Sequence, residues 1–152
     1  MNIGSNLGDR RLNLSRAVRG IISRFGGFEV SHVIESAPWG FDSANHFLNV
    51  CMMFASDLEP VEVLETLQDI ERSISGDSHR TPDGQYADRV IDIDMIAADD
   101  IVINDPKLTL PHPMLEKRSF FLEPLNEIAP GWKHPVTGKT AAEMLADLPS
   151  ED

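Results

Sequence analysis

The segment that most constrains this chain is residues 89–96, RVIDIDMI, in which two aspartates interrupt a run of aliphatic side chains. Such a run predicts a β-strand, which we place at residues 90–97. Successive side chains of a strand point to opposite faces, so Asp92 and Asp94 share one face, roughly 7 Å apart. Two carboxylates this close repel each other unless a cation lies between them, and Mg²⁺ takes such oxygen ligands. This face therefore opens either to a metal site or to solvent.

The remaining segments predict helices and strands that alternate along the chain. Apolar residues from Leu14 to Phe25 follow helical spacing, with Asp9 as the cap and Gly26-Gly27 as the stop. A second helix begins at Pro60. Strands are expected at 28–34, 46–55 and 101–103, loops at 36–45 and 73–88, and a last helix at 141–148. With a short strand before the first helix, this order predicts one α+β domain over residues 1–152, with a ferredoxin-like core and an antiparallel or mixed sheet.

Composition excludes several functional classes. The formal net charge of −12 argues against a nucleic-acid partner, because such proteins need a basic surface to meet phosphates. The longest apolar run, residues 50–55, is too short to span a membrane, and no export signal is visible. Cys51 is the single cysteine, so no internal disulfide or CxxC motif exists. We therefore expect a cytoplasmic protein that binds neither membranes nor nucleic acid; composition does not give the oligomeric state, and a monomer is the default expectation.

Two further groups of residues are candidates for ligand binding. Asn49 is the single amide on an apolar strand and shares a face with Phe47. Its donor and acceptor suit the edge of a fused heterocycle, although a buried asparagine satisfied by backbone fits the pattern as well. Gln68 and Glu71 lie one helical turn apart before the 73–88 loop, where a solvated helix end is the alternative.

Four blocks of sequence resemble the hydroxymethyldihydropterin pyrophosphokinase family, over essentially the whole chain. In order, they are GSNLGD at 4–9, PWG at 38–40 with FLN at 47–49, RVIDIDMI at 89–96, and LPHP at 110–113 continuing to PL at 124–125. The resemblance implies an ATP-dependent diphosphotransferase of folate biosynthesis. Its substrates would be ATP and 6-hydroxymethyl-7,8-dihydropterin, its products AMP and the pterin diphosphate, and its fold α+β.

The resemblance also implies roles for individual residues. Asp92 and Asp94 would bind two Mg²⁺ ions that bridge the ATP phosphates, and Arg89 and Arg80 would join them in catalysis. The residues expected around the pterin are Ser36, Ala37, Trp39, Phe47, Asn49, Tyr86 and Phe120. Those expected around ATP are Gln68, Glu71, Arg89, Met95, Lys107, Thr109, His112 and Arg118.

The chain departs from the family pattern in the 73–88 loop. A basic residue usually follows the glycine after the second helix, whereas here Gly76 precedes Asp77 and Ser78, and Arg80 is expected to take that role. Two rival functions remain open at this level. One is a nucleotidyltransferase that uses the same aspartate pair but reacts at the α-phosphorus. The other is a ferredoxin-like domain that binds a small ligand without catalysis.

Overall fold

A computed structural model describes residues 1–26, 28–38, 44–75 and 89–149 of the chain. The first half contains β1 (Asn2–Ser5), α1 (Arg10–Phe25), β2 (Phe28–Val30), β3 (Ile34–Ser36), β4 (Phe47–Phe54) and α2 (Pro60–Ser75). The second half contains β5 (Asp92–Asp94), β6 (Ile103–Asn104), β7 (Thr109–Leu110), a 3-10 turn (Leu115–Lys117), α3 (Ser119–Ile128) and α4 (Ala141–Ala146). Within the described ranges, no helix combines the length and apolar character needed to cross a membrane.

The main sheet is antiparallel, with the strand order β2-β4-β1-β5 and with β3 paired to the other end of β4. The chain forms β1, crosses through α1, returns through β2, β3 and β4, and crosses again through α2 to β5. This is the ferredoxin-like α+β arrangement, and the predicted fold class is confirmed. The topology puts β1 in the middle, between the strand that carries Asn49 and the strand that carries Asp92.

Both faces of the sheet carry helices, and the two faces differ in what they bury. On the core face, Ile3, Val50 and Ile93 pack against the apolar sides of α1 and α2. On the opposite face, Cys51 joins a second cluster with Phe121 and other side chains of α3 and α4. We call this second face the site face, because its strands also carry the polar residues described below.

The predicted limits of α1 are confirmed by its caps. The side chain of Asp9 accepts a hydrogen bond from Leu12 N at 3.1 Å, which satisfies one of the free N–H groups of the first turn. Gly26 ends the helix with φ 84, a left-handed conformation that favours glycine, and its N–H donates to Ile22 O.

Several predicted strand limits are wrong. The strand expected at 28–34 is two strands, because Ser31 interrupts the ladder with a side chain that accepts from Cys51 N at 2.8 Å. Ser36, predicted in a loop, lies in β3. The strand expected at 90–97 is shortened to Asp92–Asp94.

The short strand expected at 101–103 lies at Ile103–Asn104, and it pairs with β7. The chain turns away from the main sheet at Asp99, which has φ 49 and whose carbonyl accepts from Trp132 Nε1 at 2.7 Å.

Candidate active site

Strand register aligns three site-face residues in one row across the sheet. Gly4 of β1 is paired with Asn49 on one side and with Asp92 on the other. Because neighbouring strands are about 4.8 Å apart, Asn49 and Asp92 lie roughly 10 Å apart. We call Asn49, Gly4 and Asp92 the central row. Glycine places no side chain between its two polar neighbours.

Gly4 also permits a close approach by the neighbouring side chains. A Cβ atom at this position would lie 3.1 Å from Asn49 Oδ1 and 3.3 Å from a ring carbon of Phe47. Both distances are shorter than ordinary contacts. A larger residue at position 4 would therefore displace both side chains.

Asp92 and Asp94 lie on the same face of β5, as the alternation of side chains predicts, and Ile93 between them is buried in the core. Asn2 and Gly4 of β1 are their register partners. The side chain of Asp92 is 22% exposed, so its carboxylate is open to a ligand above the site face.

Arg89 is the cation that faces this aspartate pair. It lies before β5, outside the regular strand, so its side chain reaches Asp92, with Nη1 2.5 Å from Oδ1. Arg89 is 4% exposed, and its Nη2 atom has no hydrogen-bond partner among the described residues. A buried donor of this kind suits a phosphate oxygen of a bound ligand.

Asn6 holds the backbone of Arg89 in place. Its side-chain oxygen accepts from Arg89 N at 2.6 Å, and its own N–H donates to Arg89 O at 3.0 Å. Its Nδ2 donates to Asn45 O at 3.1 Å. One buried side chain thus joins the segment before β5 to the segment before β4.

Glu71 closes the free edge of β5 from the last turn of α2. Its Oε2 accepts from Ile93 N at 3.2 Å. Burial, followed by the negative charges of Asp92 and Asp94, raises the pKa of Glu71 to about 8, against the opposing effects of the Ile93 N–H and Arg89. Gln68 is exposed one turn earlier on the same helix. The carboxyl groups of Glu71, Asp92 and Asp94 thus cluster at this end of the site.

The donor set fits magnesium that is bound together with a phosphorylated ligand. Among the described residues, no three or more His, Cys, Asp or Glu side chains are placed to hold a metal ion by themselves. Mg²⁺ usually takes one or two carboxylates and fills its other positions with water and substrate phosphates. Asp92 and Asp94, which share one face of β5, supply such a pair.

On the other side of Gly4, Asn49 is held by two side chains. Its Nδ2 donates to Ser36 Oγ at 2.7 Å, and its Oδ1 accepts from Asn2 Nδ2 at 3.4 Å. Asn49 is 2% exposed. Phe47 is half-buried two residues earlier on β4, and Ala37 is exposed just after β3. Ser36, Phe47 and Asn49, three of the residues expected around the heterocycle, are thus adjacent.

A third group comes from the segment that leads into α3. The backbone N–H of His112 donates to Ile96 O at 2.8 Å, and the imidazole ring packs edge-on against the ring of Phe121. Burial, followed by the positive charge of Arg118, lowers the pKa of His112 to about 4 although Asp92 opposes this, so the imidazole is neutral near pH 7. The Arg118 guanidinium, almost fully buried, lies 5.6 Å from the centre of the Phe120 ring. The pKa of His112 thus depends on both Arg118 and Asp92.

Three other predicted residues have described contacts elsewhere. Met95 has its side chain in the apolar core, so only its backbone is available to a nucleotide. Lys107 is exposed in the turn between β6 and β7. Thr109 Oγ1 donates to Asp105 O at 3.5 Å within that hairpin.

Some predictions fall outside the described residues. These are the roles of Trp39, Arg80 and Tyr86, and the part of the 73–88 loop that follows Ser75. Conversely, sequence reasoning assigned no role to Asn2, Gly4 as a spacer, or Asn6. The alternation of Asn2 and Gly4 around buried Ile3 is the signal that could have placed both on the site face.

Comparison with known proteins agrees with this geometry. The sequence model of the 7,8-dihydro-6-hydroxymethylpterin-pyrophosphokinase family matches residues 1–130. A 2-amino-4-hydroxy-6-hydroxymethyldihydropteridine pyrophosphokinase from Porphyromonas gingivalis is 39% identical over 137 residues, 89% of this chain and 92% of that protein. Proteins with the same name from Aquifex aeolicus (35% identity, 95% of this chain, 88% of that one) and Methylorubrum extorquens (33% identity, 97% and 91%) are also similar. The chain therefore belongs to the 7,8-dihydro-6-hydroxymethylpterin-pyrophosphokinase family.

Proposed function

We propose that this protein transfers a diphosphate from ATP to the hydroxymethyl group of 6-hydroxymethyl-7,8-dihydropterin, releases AMP, and so serves folate biosynthesis. The observation that carries the proposal is the central row. It sets an amide suited to a heterocycle roughly 10 Å from a carboxylate suited to a metal, with no side chain at Gly4 between them. That span accommodates a pterin whose hydroxymethyl group points toward a metal-bound phosphate chain.

The reaction requires one bond to form and one to break. The hydroxymethyl oxygen attacks the β-phosphorus of ATP, and the bond from that phosphorus to the α,β-bridging oxygen breaks. The hydroxyl proton leaves to solvent, and AMP departs with the bonding electrons. In this type of transfer, the enzyme contributes mainly by positioning the reactants and by neutralising charge.

Asp92 and Asp94 are the residues proposed to hold magnesium, as two ions. Bound magnesium would offset negative charge on the phosphate oxygens and thereby favour attack on the β-phosphorus. The fit rests on the paired carboxylates of Asp92 and Asp94 on one face of β5.

Three further side chains are proposed to contact the phosphates. The partnerless Nη2 of Arg89 donates to a phosphate oxygen, and Arg118 adds a second buried positive charge. His112, neutral near pH 7, donates through Nε2 because its Nδ1 already accepts from Met114 N at 3.0 Å. Gln68, Lys107 and Thr109 are assigned to the nucleotide beyond this centre.

Asn49, Ser36 and Phe47 are proposed to hold the pterin, with Phe120 on the facing side. The buried amide pairs with the polar edge of the ring, and the half-buried aromatic rings cover its apolar surface. We also assign residues 1–152 to one pterin pyrophosphokinase domain that acts as a cytoplasmic monomer. The buried free thiol of Cys51 fits a reducing compartment.

The proposal is tested by incubating the protein with ATP, Mg²⁺ and the reduced pterin alcohol, and by identifying the products by mass. AMP together with a pterin that has gained a diphosphate is the expected result. Release of pyrophosphate would indicate nucleotidyl transfer instead. Binding of both ligands without any product would indicate a binding domain.

A further inference from the structure

Asn2 lies on the site face beside the central row. It is 3% exposed, and its register partners are Asp94 on β5 and Cys51 on β4. Its Nδ2 donates to Asn49 Oδ1 at 3.4 Å, across 47 residues of sequence. Asn2 Oδ1 is buried and has no hydrogen-bond partner among the described residues. A polar side chain placed here contacts the proposed pterin ligand Asn49 directly.

Resting on the proposed function, we propose that Asn2 is a positioning residue that selects the orientation of the Asn49 carboxamide and thereby the pterin edge that the site accepts. The argument starts from Ser36, the other partner of Asn49. A hydroxyl both donates and accepts, so Ser36 pairs equally well with either end of a carboxamide. Asn2 presents its Nδ2–H to Asn49 in the structure, and an N–H pairs only with an oxygen, so Asn49 turns Oδ1 toward β1 and Nδ2 toward β3.

The orientation matters because a pterin edge has a fixed order of polar groups. The 2-amino group and N3–H are donors, and the 4-oxo group is an acceptor. Asn49 has one N–H and one oxygen lone pair left for the ligand. In one orientation, the N–H and the oxygen of Asn49 pair with an acceptor and a donor of the ring. In the flipped orientation, donor faces donor and acceptor faces acceptor at a buried side chain, which costs binding energy.

Calorimetric titrations of single and double variants test the contact. Asn2→Ala is expected to weaken pterin binding by about three- to tenfold and to change ATP binding by less than about twofold. In the Asn49→Ala background, Asn2→Ala should change pterin affinity by less than about twofold, because no carboxamide remains to be oriented. Unchanged pterin affinity in Asn2→Ala, or equal losses in both backgrounds, would overturn the assignment.

Ligand discrimination supplies a readout that a purely structural role would not change. The 2,4-diamino counterpart of the pterin replaces the 4-oxo acceptor by an amino donor and turns the N3–H donor into an acceptor. The wild type should prefer the 4-oxo ring, and this preference should fall by about fivefold or more in Asn2→Ala. Asn2→Ser should lose the same preference, because a serine hydroxyl does not distinguish the two orientations of Asn49. If Asn2→Ala does not fold, Asn2→Ser serves as the test variant in its place.

The matched control is Asn13→Ala on the opposite face of the sheet. Asn13 is also buried, and it donates to Ser5 Oγ and to Leu7 O. Its loss should lower the melting temperature and leave the preference between rings unchanged; an equal loss of preference would overturn the role of Asn2. If the wild type makes AMP and Asn2→Ala keeps the full preference for the 4-oxo ring, this inference alone is overturned. Wild type that makes no AMP would overturn the proposed function.

Discussion

Replacing Asp92 by Asn removes the carboxylate partner of a buried guanidinium. Arg89 Nη1 lies 2.5 Å from Asp92 Oδ1, and the two side chains are 4% and 22% exposed. Repulsion between Asp92 and Asp94 alone would make this substitution neutral or stabilising. The contact with Arg89 reverses that expectation, because the remaining cation stays buried with less compensation.

The expected loss follows from this burial. Removing one partner of a fully buried ion pair costs about 3–5 kcal/mol. Asp92 is partly exposed, and the oxygen of Asn still accepts a hydrogen bond, so we expect a loss of about 2–3 kcal/mol in the free energy of unfolding. In a double-mutant cycle with Arg89→Met, the coupling energy should be about 2 kcal/mol. Turnover should fall at least about a thousandfold, since Asp92 is proposed to hold metal.

Urea denaturation of the wild type, both single variants and the double variant measures the coupling. The pair Asp69–Arg72 is a matched control, with the same three-residue spacing but with side chains that are 56% and 50% exposed. Its coupling energy should not exceed about 0.5 kcal/mol, because solvent screens an exposed pair. A coupling for Arg89–Asp92 no larger than this control would refute the argument from burial.

Three other substitutions give separate tests. Gly4→Ala should weaken pterin binding by about five- to tenfold through displacement of Asn49 and Phe47, with ATP affinity unchanged in calorimetry. Asn49→Ala should cost at least about 1.5 kcal/mol of pterin affinity, and equal losses for ATP would assign Asn49 to the fold instead. The pKa of Glu71 is raised to about 8, so the folded state binds one more proton than the unfolded state between about pH 4.5 and 8. The free energy of unfolding of the metal-free protein therefore falls as pH rises through this window. Glu71→Gln should therefore gain roughly 1–3 kcal/mol relative to wild type between pH 5 and 8 in urea titrations with EDTA, and a pH-independent difference would contradict the raised pKa.

The local sequence pattern was sufficient to predict which way side chains point, because that direction depends on the nearby backbone. The two-residue period of 89–96 placed Asp92 and Asp94 on one face, and helical spacing with Asp9 and Gly26 predicted α1. The fold class followed from the order of such segments. Strand limits were less accurate: Ser31 splits the predicted 28–34 strand because it interacts with Cys51, a residue 20 positions away.

The sequence by itself determined the order of the main helices and strands, the shared face of Asp92 and Asp94 and, through four short motifs, the family. Only the tertiary structure decided which residues become neighbours across the sheet. Gly4 lies between Asn49 and Asp92, Asn2 reaches Asn49, and Asn6 holds Arg89 from 83 residues away. The physical reason is that the spacing of apolar residues along the chain depends on the local backbone conformation, whereas the register between distant strands is set by the packing of the whole core. The central row exists only once that packing has brought β4, β1 and β5 side by side.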